Sequence, residues 1–423
     1  MQSNTIRSPN FILVAIGRIV SAFGNQILRY AMPLYLLNQT GSSALFGSIL
    51  AASFLPMILL FPIGGIIADR YNKRNIMLFV DLCTAILISA FCLLSGHIDS
   101  VPLMAITMII LYALDGIDRP AVKASIPTLV DETQIIHANS LIDIVDSTAS
   151  MAGPVIGGLL FISLGMMPIL YISIACFLIS VIMDACIKIP FTKREAKANI
   201  YTTGLNDLKD SFNFMFKECP VLWQTSLVFA ASNLLLTSLI LIGLPVIIIQ
   251  KLGFAADTAN RLYGYAQGVF AAGAILGGFL AGLLASKLKS SSCTFLLIGC
   301  SACTIIGGLA LQMPFSAFSI YLILIITCGL LLTIHTIFQI QIMTYLQLLT
   351  PRDLVGKVIS CFMCVVMCTM PLGQMLYGFA FEQMDSNFYL LFYIAGSIML
   401  VISLLTSNIY HKLDFQVNQN QPG

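Results

Sequence analysis

The stretch GGIIADRYNKR, residues 64–74, decides the fold because it is a short charged segment between two long apolar runs. Residues 43–68 contain no charged side chain, and residues 75–96 contain only Asp81. A helix of about 20 apolar residues crosses the hydrocarbon of a bilayer. The stretch is therefore predicted to be a tight hairpin between two membrane helices, in which Gly65 lets backbones approach closely.

The basic residues of this hairpin predict the side of the membrane on which it lies. Arg70, Lys73 and Arg74 follow the first helix, and positive charge in short loops is retained in the cytoplasm. Over the whole chain, fifteen Lys and Arg residues fall in predicted inner loops and ends, against Lys251 and Arg261 outside. Both termini are therefore expected in the cytoplasm.

The composition is that of an integral membrane protein. Hydrophobic residues make up 58% of the chain and charged residues 9%, against about a quarter in typical soluble domains. The net charge of +2 gives no indication of nucleic-acid binding. The twelve cysteines lie almost entirely in apolar runs, so they are interpreted as buried thiols and not as a disulfide framework or a metal site.

Hydropathy predicts twelve membrane helices, with the fold class of an all-α membrane protein built from two six-helix pseudo-symmetric halves. The predicted spans are 10–36, 44–68, 75–96, 101–124, 138–163, 165–188, 221–250, 260–285, 293–312, 316–341, 356–381 and 386–409. The predicted domains are an N-terminal half, a cytoplasmic linker, a C-terminal half and a polar tail, at 1–188, 189–219, 220–412 and 413–423.

The two halves repeat in sequence. A shift of 217 residues carries Gly65 onto Gly282 and Pro154 onto Pro371. Two parallel six-helix halves resemble the architecture of a superfamily of membrane transporters, which implies a substrate cavity between the halves, near the middle of the membrane.

Polar residues at membrane depth are the candidate cavity and substrate residues, because they are costly there and normally face a cavity or a partner. Arg18, Asn25 and Arg29 share one face of the first span. We interpret that face as lining an aqueous path; the alternative is that both arginines extend to opposite interfaces. In the second half, the candidates are Asn233, His335 and Gln339, although a lone His in a span is more often a hydrogen-bonded core residue.

Acidic residues on the fourth and fifth spans are the proton-coupling candidates. The set is Asp115, Asp118, Arg119, Asp143 and Asp146. Asp115 and Arg119 are four residues apart, which allows an ion pair within one helix. Two interpretations remain open: direct proton coupling, with Asp118 as first choice, or a cytoplasmic charge lock of Asp143 and Asp146 with Arg119 and Lys123.

Two motifs resemble those of the major facilitator superfamily of transporters. The loop motif Gly-x-x-x-Asp-Arg-x-x-Lys-Arg is formed here by Gly65, Asp69, Arg70, Lys73 and Arg74. It departs from the usual pattern at Asn72, where a second glycine is typical; Asn tolerates left-handed backbone, so the turn is still expected. Gly153, Pro154, Gly157 and Gly158 resemble the antiporter motif of exporters in the same superfamily, although helix packing alone also explains these glycines.

Further stretches resemble the macrolide-efflux and enterobactin-exporter branch of this superfamily. They include RYAMPLYLLNQTGS at 29–42 and IPTLV at 126–130. That branch consists of twelve-span drug:proton antiporters. The resemblance implies that Asp69 and Arg70 form an inner-gate charge network with Asp81.

These observations predict a monomeric, multi-pass secondary transporter of a bacterial plasma membrane, which exports an amphipathic small molecule in exchange for protons. The chain has no Gly-x-x-x-x-Gly-Lys-Ser/Thr loop, so ATP is not expected to drive it, and no cofactor or metal is expected. Two alternatives are uptake by symport of a nutrient or lipid-like solute, and a non-transporting membrane receptor or scaffold. No catalytic motif indicates an enzyme.

Overall fold

A computed structural model describes residues 8–131, 134–187, 214–284, 291–351, 354–384 and 387–410. These residues are almost entirely helical. In chain order, the long helices are α1 (Pro9–Thr40), α2 (Ser43–Arg70), α3 (Lys73–Leu94), α4 (Ser100–Leu129), α5 (Ile135–Leu164), α6 (Met166–Cys186), α7 (Pro220–Lys251), α8 (Ala256–Leu284), α9 (Ser292–Gln312), α10 (Ala317–Leu349), α11 (Val355–Gln383) and α12 (Tyr389–Leu405).

Eleven of these helices are long and apolar enough to cross a membrane, within the described part of the chain. The twelfth, α12, is apolar and has 17 residues. The prediction of an all-α membrane protein with twelve helices is therefore confirmed. The largest difference in bounds concerns α10, predicted to end at 341, which continues to Leu349. It ends just before Pro351, because a proline disfavours helical backbone at the residue that precedes it.

The predicted hairpin joins α2 to α3. Helix α2 ends at Arg70, and Asn72 is the N-cap of α3, with its side-chain Oδ1 accepting a hydrogen bond from the backbone N–H of Arg74 at 3.1 Å. Asn is among the preferred N-cap residues because it satisfies such a free N–H group. Asn72 has a φ of −65°, so the turn forms without the left-handed backbone that the motif comparison suggested.

The close helix contact near the hairpin involves Gly64 and not Gly65, which corrects the sequence-based prediction. A Cβ atom on Gly64 would lie 2.8 Å from the carbonyl oxygen of Gly116 in α4. A Cβ atom on Gly65 would have nothing within 4 Å. Sequence alone could not distinguish two adjacent glycines, because only one of them faces the neighbouring helix.

The chain divides into two compact units. The first comprises residues 1–197 and 256–268, and the second comprises 198–255 and 269–423. In the first unit, α2 packs along α4, and α1 packs against both α5 and α6. The first residues of α8 join this unit: the ring of Tyr263 stacks on Tyr30 of α1 with 5.5 Å between centroids.

The second unit repeats a feature of the first. Its helix α8 crosses α10 closely, and a Cβ atom on Gly277 would lie 2.6 Å from the carbonyl oxygen of Thr333. In the first unit, a Cβ atom on Gly116 would lie 2.8 Å from the carbonyl oxygen of Met57. Thr333 is the 217-residue counterpart of Gly116. Small residues at helix crossings allow the close packing that associates helices in lipid.

Helix α7 differs from the other spans because two of its turns are π-helical. These turns are Asn233–Thr237 and Ile247–Lys251. A π turn leaves carbonyl groups without their usual helical partner. The Tyr377 hydroxyl of α11 donates to the carbonyl oxygen of Leu235 at 2.7 Å, so a side chain from a neighbouring helix satisfies one of them.

Candidate functional site: a buried charge cluster beside a polar cavity

Arg18 of α1 links two acids that lie on different helices. Its Nη1 donates to Asp118 Oδ2 of α4 at 2.5 Å, and its Nε donates to Asp146 Oδ1 of α5 at 2.7 Å. The Arg18 side chain is 6% exposed. A guanidinium at this depth is stable only when its charge and its N–H groups are matched by acceptors. Arg18 therefore connects α1, α4 and α5 through charge.

Arg29 lies about three turns further along α1 and contacts a third acid. Its Nη1 donates to Asp115 Oδ2 at 3.0 Å. Its guanidinium carbon lies 3.6 Å from the ring centroid of Tyr112, and its Nη2 contacts Met57 Sδ at 3.4 Å. An arginine over an aromatic ring gains cation–π stabilisation that grows when water is excluded.

Asp115 is the shared acceptor of this second group. Besides Arg29, it accepts hydrogen bonds from Arg119 Nε at 2.9 Å and from Asn25 Nδ2 at 3.2 Å. We refer to Arg18, Arg29, Asp115, Asp118, Arg119 and Asp146 together as the charge cluster. It contains three arginines and three aspartates, so its formal charges balance.

A polar cavity of about 200 Å³ borders the charge cluster inside the first unit. Its lining residues come from α1, α4 and α5 and are Arg18, Ala22, Asn25, Gln26, Asp115, Arg119, Asp146, Ser147 and Ser150. The Oδ1 atom of Asn25 is buried and has no hydrogen-bond partner among the described atoms. Such an acceptor is costly to bury, so the cavity favours a molecule that brings a donor group to it.

The predicted polar face of α1 is therefore inside the protein. Arg18, Ala22 and Asn25 line the cavity, and Arg29 is fixed against Tyr112 at one side of it. Neither arginine extends to a membrane interface, since both side chains are buried in ion pairs. Ile19, on another face of the helix, is 40% exposed.

The acids of α4 and α5 divide into two groups. The ion pair predicted between Asp115 and Arg119 is confirmed. Asp143 pairs with Lys123 at 3.0 Å with both side chains more than half exposed, which is part of the predicted charge lock. Asp146 differs from that prediction, because it bonds to Arg18 of α1.

The residues of the loop motif do not converge on one site. Arg74 donates from Nε to the carbonyl oxygen of Asp184 at 3.1 Å and from Nη2 to that of Ala185, so it binds the last turn of α6. Arg70 is exposed, and Lys73 begins α3. The Asp69 side chain lies outside the described residues, so its part in an inner gate stays a prediction.

Asp81, assigned to that gate by resemblance, lies in the interior of the first unit. It is 5% exposed and lines small cavities together with Arg18 and Asp118. It makes no ion pair with a described residue. Its position in α3, eight residues after Lys73, is about 12 Å above the hairpin.

The glycines of the antiporter-type motif pack α5 against α1. A Cβ atom on Gly153 would lie 2.5 Å from Gln26 Cβ, and one on Gly157 would lie 3.2 Å from a ring carbon of Tyr30. Gly158 is equally close to the Tyr30 hydroxyl oxygen, and Pro154 lies inside the helix between these contacts.

The candidates of the second half make different contacts. His335 is 6% exposed, lies 3.1 Å from the Ser232 hydroxyl and stacks on Phe229, as a core histidine does. Asn233 donates to the carbonyl oxygen of Phe229 within α7, and Gln339 is exposed. Asn233 and His335 thus both contact Phe229, and a role of the three in substrate binding stays a prediction.

Two residues of the interior were missed by the sequence analysis. Tyr112 has an apolar helical environment in sequence, and nothing there indicated that it stacks on Arg29. Asp184 is 4% exposed in the last turn of α6. An acid within an otherwise apolar span was a signal for Asp184, because intramembrane ionisable residues usually have a function.

Comparison of the sequence with known proteins identifies the family of the chain. Residues 14–368 match the family model described as Major Facilitator Superfamily. Macrolide efflux protein A of Streptococcus pyogenes is 23% identical over 415 residues, covering 96% of this chain and 98% of that protein. The multidrug efflux pump Tap of Mycolicibacterium fortuitum is 26% identical over 194 residues, covering 44% of this chain and 47% of that protein.

Solved structures share the fold at low sequence identity. A peptide transporter of the POT family has a TM-score of 0.73 at 11% identity, covering 96% of this chain and 95% of that one. A D-xylose–proton symporter has a TM-score of 0.68 at 13% identity, covering 93% and 95%. The family model spans most of the chain, and helix number and fold agree with it. The protein is a multi-pass membrane transporter that belongs to the Major Facilitator Superfamily.

Proposed function

We propose that the protein exports an amphipathic small molecule across a bacterial plasma membrane in exchange for protons. The observation that carries this proposal is the charge cluster, which lies at predicted membrane depth, has four largely buried side chains and borders a polar cavity. Buried ion pairs contribute little net stability, so six charged residues at this depth indicate a role in function.

The charge cluster offers a way to couple proton movement to substrate movement. Arg18 is shared between Asp118 and Asp146, so a proton on Asp118 would remove one of its two charged partners. Arg18 would then bind Asp146 alone, and Asp146 also lines the cavity. Protonation of Asp118 and binding of a molecule in the cavity would thus both alter the contacts of the Arg18 guanidinium. A ligand shifts such an equilibrium only through its different affinity for the two states.

The cavity also supports a substrate class. Its lining combines side-chain amides, hydroxyls and charged groups of both signs, and it contains the buried acceptor Asn25 Oδ1. A molecule with hydroxyl or amine donors on an apolar frame fits this lining. Macrolide efflux protein A of Streptococcus pyogenes, similar over 96% of this chain, makes a macrolide the first compound to test.

The test measures labelled macrolide in membrane vesicles of both orientations. In inside-out vesicles with an acidic lumen, we expect the compound to accumulate and the lumen to lose protons. Asp131→Asn, which removes an exposed carboxylate between α4 and α5, serves as a control for charge alone. Accumulation confined to right-side-out vesicles would show uptake instead. Absence of flux for the macrolide and for a panel of amphipathic dyes would favour a receptor or scaffold.

A further inference from the structure

The interior of the first unit contains more acids than the charge cluster uses. Asp81 and Asp184 are 5% and 4% exposed, and neither forms an ion pair with a described residue. Adding these two to the cluster gives five carboxyl groups, against the three arginines of the cluster and Arg74 at the end of α6. A buried carboxylate without a cationic partner is costly, and such a group becomes neutral by holding a proton.

Arg18 and Arg74 are cations near these two acids, and neither forms an ion pair with them. Arg18 of α1 faces this region but is already bound to Asp118 and Asp146. Arg74 of α3 lies beside Asp184: its Nε donates to the backbone carbonyl oxygen of Asp184 at 3.1 Å and its Nη2 to that of Ala185, so its guanidinium contacts the backbone and not the carboxylate. Ser180 of α6 lines a small cavity together with Asp81 and carries no charge, and its hydroxyl donates to the carbonyl oxygen of Gly17 at 3.3 Å.

The acids stand at successive depths above the hairpin. Asp184 is two residues from the end of α6, about 3 Å in along the helix. Asp81 is about 12 Å in, and Asp118, eleven residues before the end of α4, is about 16 Å in. All three helix ends lie on the side of the hairpin, which is predicted to be cytoplasmic.

Small cavities connect these acids. One of about 10 Å³ is lined by Asp81, Asp118 and Asp184, and another of the same volume is lined by Asp81, Asp118 and Asn25. Each has room for about one water molecule, and each is lined by several polar partners for it. Asn25 also lines the large cavity, so the three cavities follow one another through shared residues.

We propose that Asp118, Asp81 and Asp184 form a proton path inside the first unit, from the large cavity to the hairpin side of the membrane. In each step, the O–H bond of a protonated carboxyl breaks, a water relays the proton, and an O–H bond forms on the next carboxylate. The carboxylate left at Asp118 is stabilised by Arg18. This inference rests on the proposed proton coupling, but the protonation of Asp81 and Asp184 can be measured without it.

The first test uses the purified full-length protein and no substrate. Infrared spectra in H₂O and D₂O report the C=O stretch of protonated carboxyl groups. We expect Asp81→Asn and Asp184→Asn each to remove about half of the signal of buried protonated carboxyls, since these are the two buried acids without an ion pair among the described residues of the first unit. Asp131→Asn should leave that signal unchanged. An unchanged signal in both interior variants would overturn the inference.

The second test follows transport in proteoliposomes, with the macrolide as probe. Asp81→Asn and Asp184→Asn should reduce transport driven by a pH gradient about ten-fold or more, because a proton carrier is lost. Exchange of labelled for unlabelled compound needs no net proton crossing and should stay within about two-fold of wild type. Wild-type rates of gradient-driven transport in both variants would reject the path.

The two tests separate failure of the path from failure of the proposed function. If the wild-type protein moves no protons with any probe, proton coupling fails while the infrared result still reports on Asp81 and Asp184. If a variant is unstable, Asp81→Glu restores a carboxyl group and should recover gradient-driven transport. Failure of that rescue at matched abundance would count against Asp81 as a carrier.

Discussion

Arg29 shows what fixes a single charged residue at membrane depth. Its guanidinium is bonded to Asp115, stacked on Tyr112 and in contact with the sulfur of Met57, so one face and both terminal nitrogens of the planar group have a partner. Lysine could supply the charge but neither the flat face nor several donors in fixed directions. Arginine is therefore required at this position by shape as well as by charge.

We expect Arg29→Lys to destabilise the protein by about 1–2 kcal/mol through loss of the stacking and of one hydrogen bond. Thermal unfolding in detergent measures the effect. Arg119→Lys is the matched control, because the Arg119 side chain is 34% exposed and should lose less. Equal unfolding temperatures for Arg29→Lys and wild type would contradict the role of the stack.

Asp118 is the residue of the charge cluster that is expected to take up and release the proton. Asp118→Asn should abolish substrate-induced proton movement, because the amide cannot take up a proton as a carboxylate does. Binding of the macrolide should persist, since Asp118 does not line the large cavity. Proton movement with a pH dye and binding by equilibrium dialysis measure the two effects. Wild-type proton movement in Asp118→Asn would move the carrier to another acid.

Some contacts of the cluster were predictable from the sequence and others were not. The Asp115–Arg119 pair follows from four-residue spacing in a helix. The pairs of Arg18 with Asp118 and Asp146 join positions 100 and 128 residues apart, so only the packing of α1 against α4 and α5 determines them. Polarity at membrane depth indicated which residues matter, and tertiary structure determined their partners.

At the scale of elements, the crossing of α2 and α4 depends on single glycines. Gly64 allows the α2 backbone to approach the Gly116 carbonyl oxygen, whereas Gly65 faces open space. The sequence correctly predicted a close helix approach at this motif but assigned it to Gly65 instead of Gly64. The difference is a rotation of about 100° around the helix axis, which hydropathy does not resolve when both neighbours are apolar.

Gly64→Ala should therefore lower the abundance of folded protein, since a Cβ atom 2.8 Å from a backbone oxygen forces the two helices apart. We expect a loss of about 1–3 kcal/mol, as for other overpacked sites. Gly65→Ala is the adjacent control and should fold normally. Fluorescence-detected size exclusion of tagged variants compares them, and similar profiles for both would refute this contact.

The faces of α1 give a second prediction at this scale. In a background without reactive native thiols, cysteine at Ala22 or Asn25 should react with a small polar thiol reagent, because both line the polar cavity. Cysteine at Ile19 should not react, because that exposed side chain faces lipid in a spanning helix. Equal labelling at Ile19 and Ala22 would exclude an aqueous cavity beside α1.

At the scale of the whole molecule, hydropathy and charge in the sequence predicted the helices well. The predicted spans agree with the observed helices to within a few residues, except at the end of α10. Length and apolarity fix these elements, because only a closed hydrogen-bonded helix can cross lipid in such a chain. The first residues of α8, which join the first unit, could not be assigned from sequence because contacts determine them.

The orientation of the chain in the membrane can be tested directly. Fifteen cations on predicted inner segments against two on outer segments predict a cytoplasmic C-terminus. A green fluorescent protein fused to the C-terminus should fluoresce, and a fused alkaline phosphatase should be inactive. The reverse pattern would invert the assignment of the hairpin side.

The distribution of the ion pairs has an electrical consequence. All five ion pairs among the described residues belong to the first unit. A membrane voltage does work only on charge that moves, about 2.3 kcal/mol per elementary charge across 100 mV. Uptake or release of a proton at Asp118, or displacement of the charged Arg18, would therefore give the transport cycle its sensitivity to voltage, and that sensitivity would originate in the N-terminal helices.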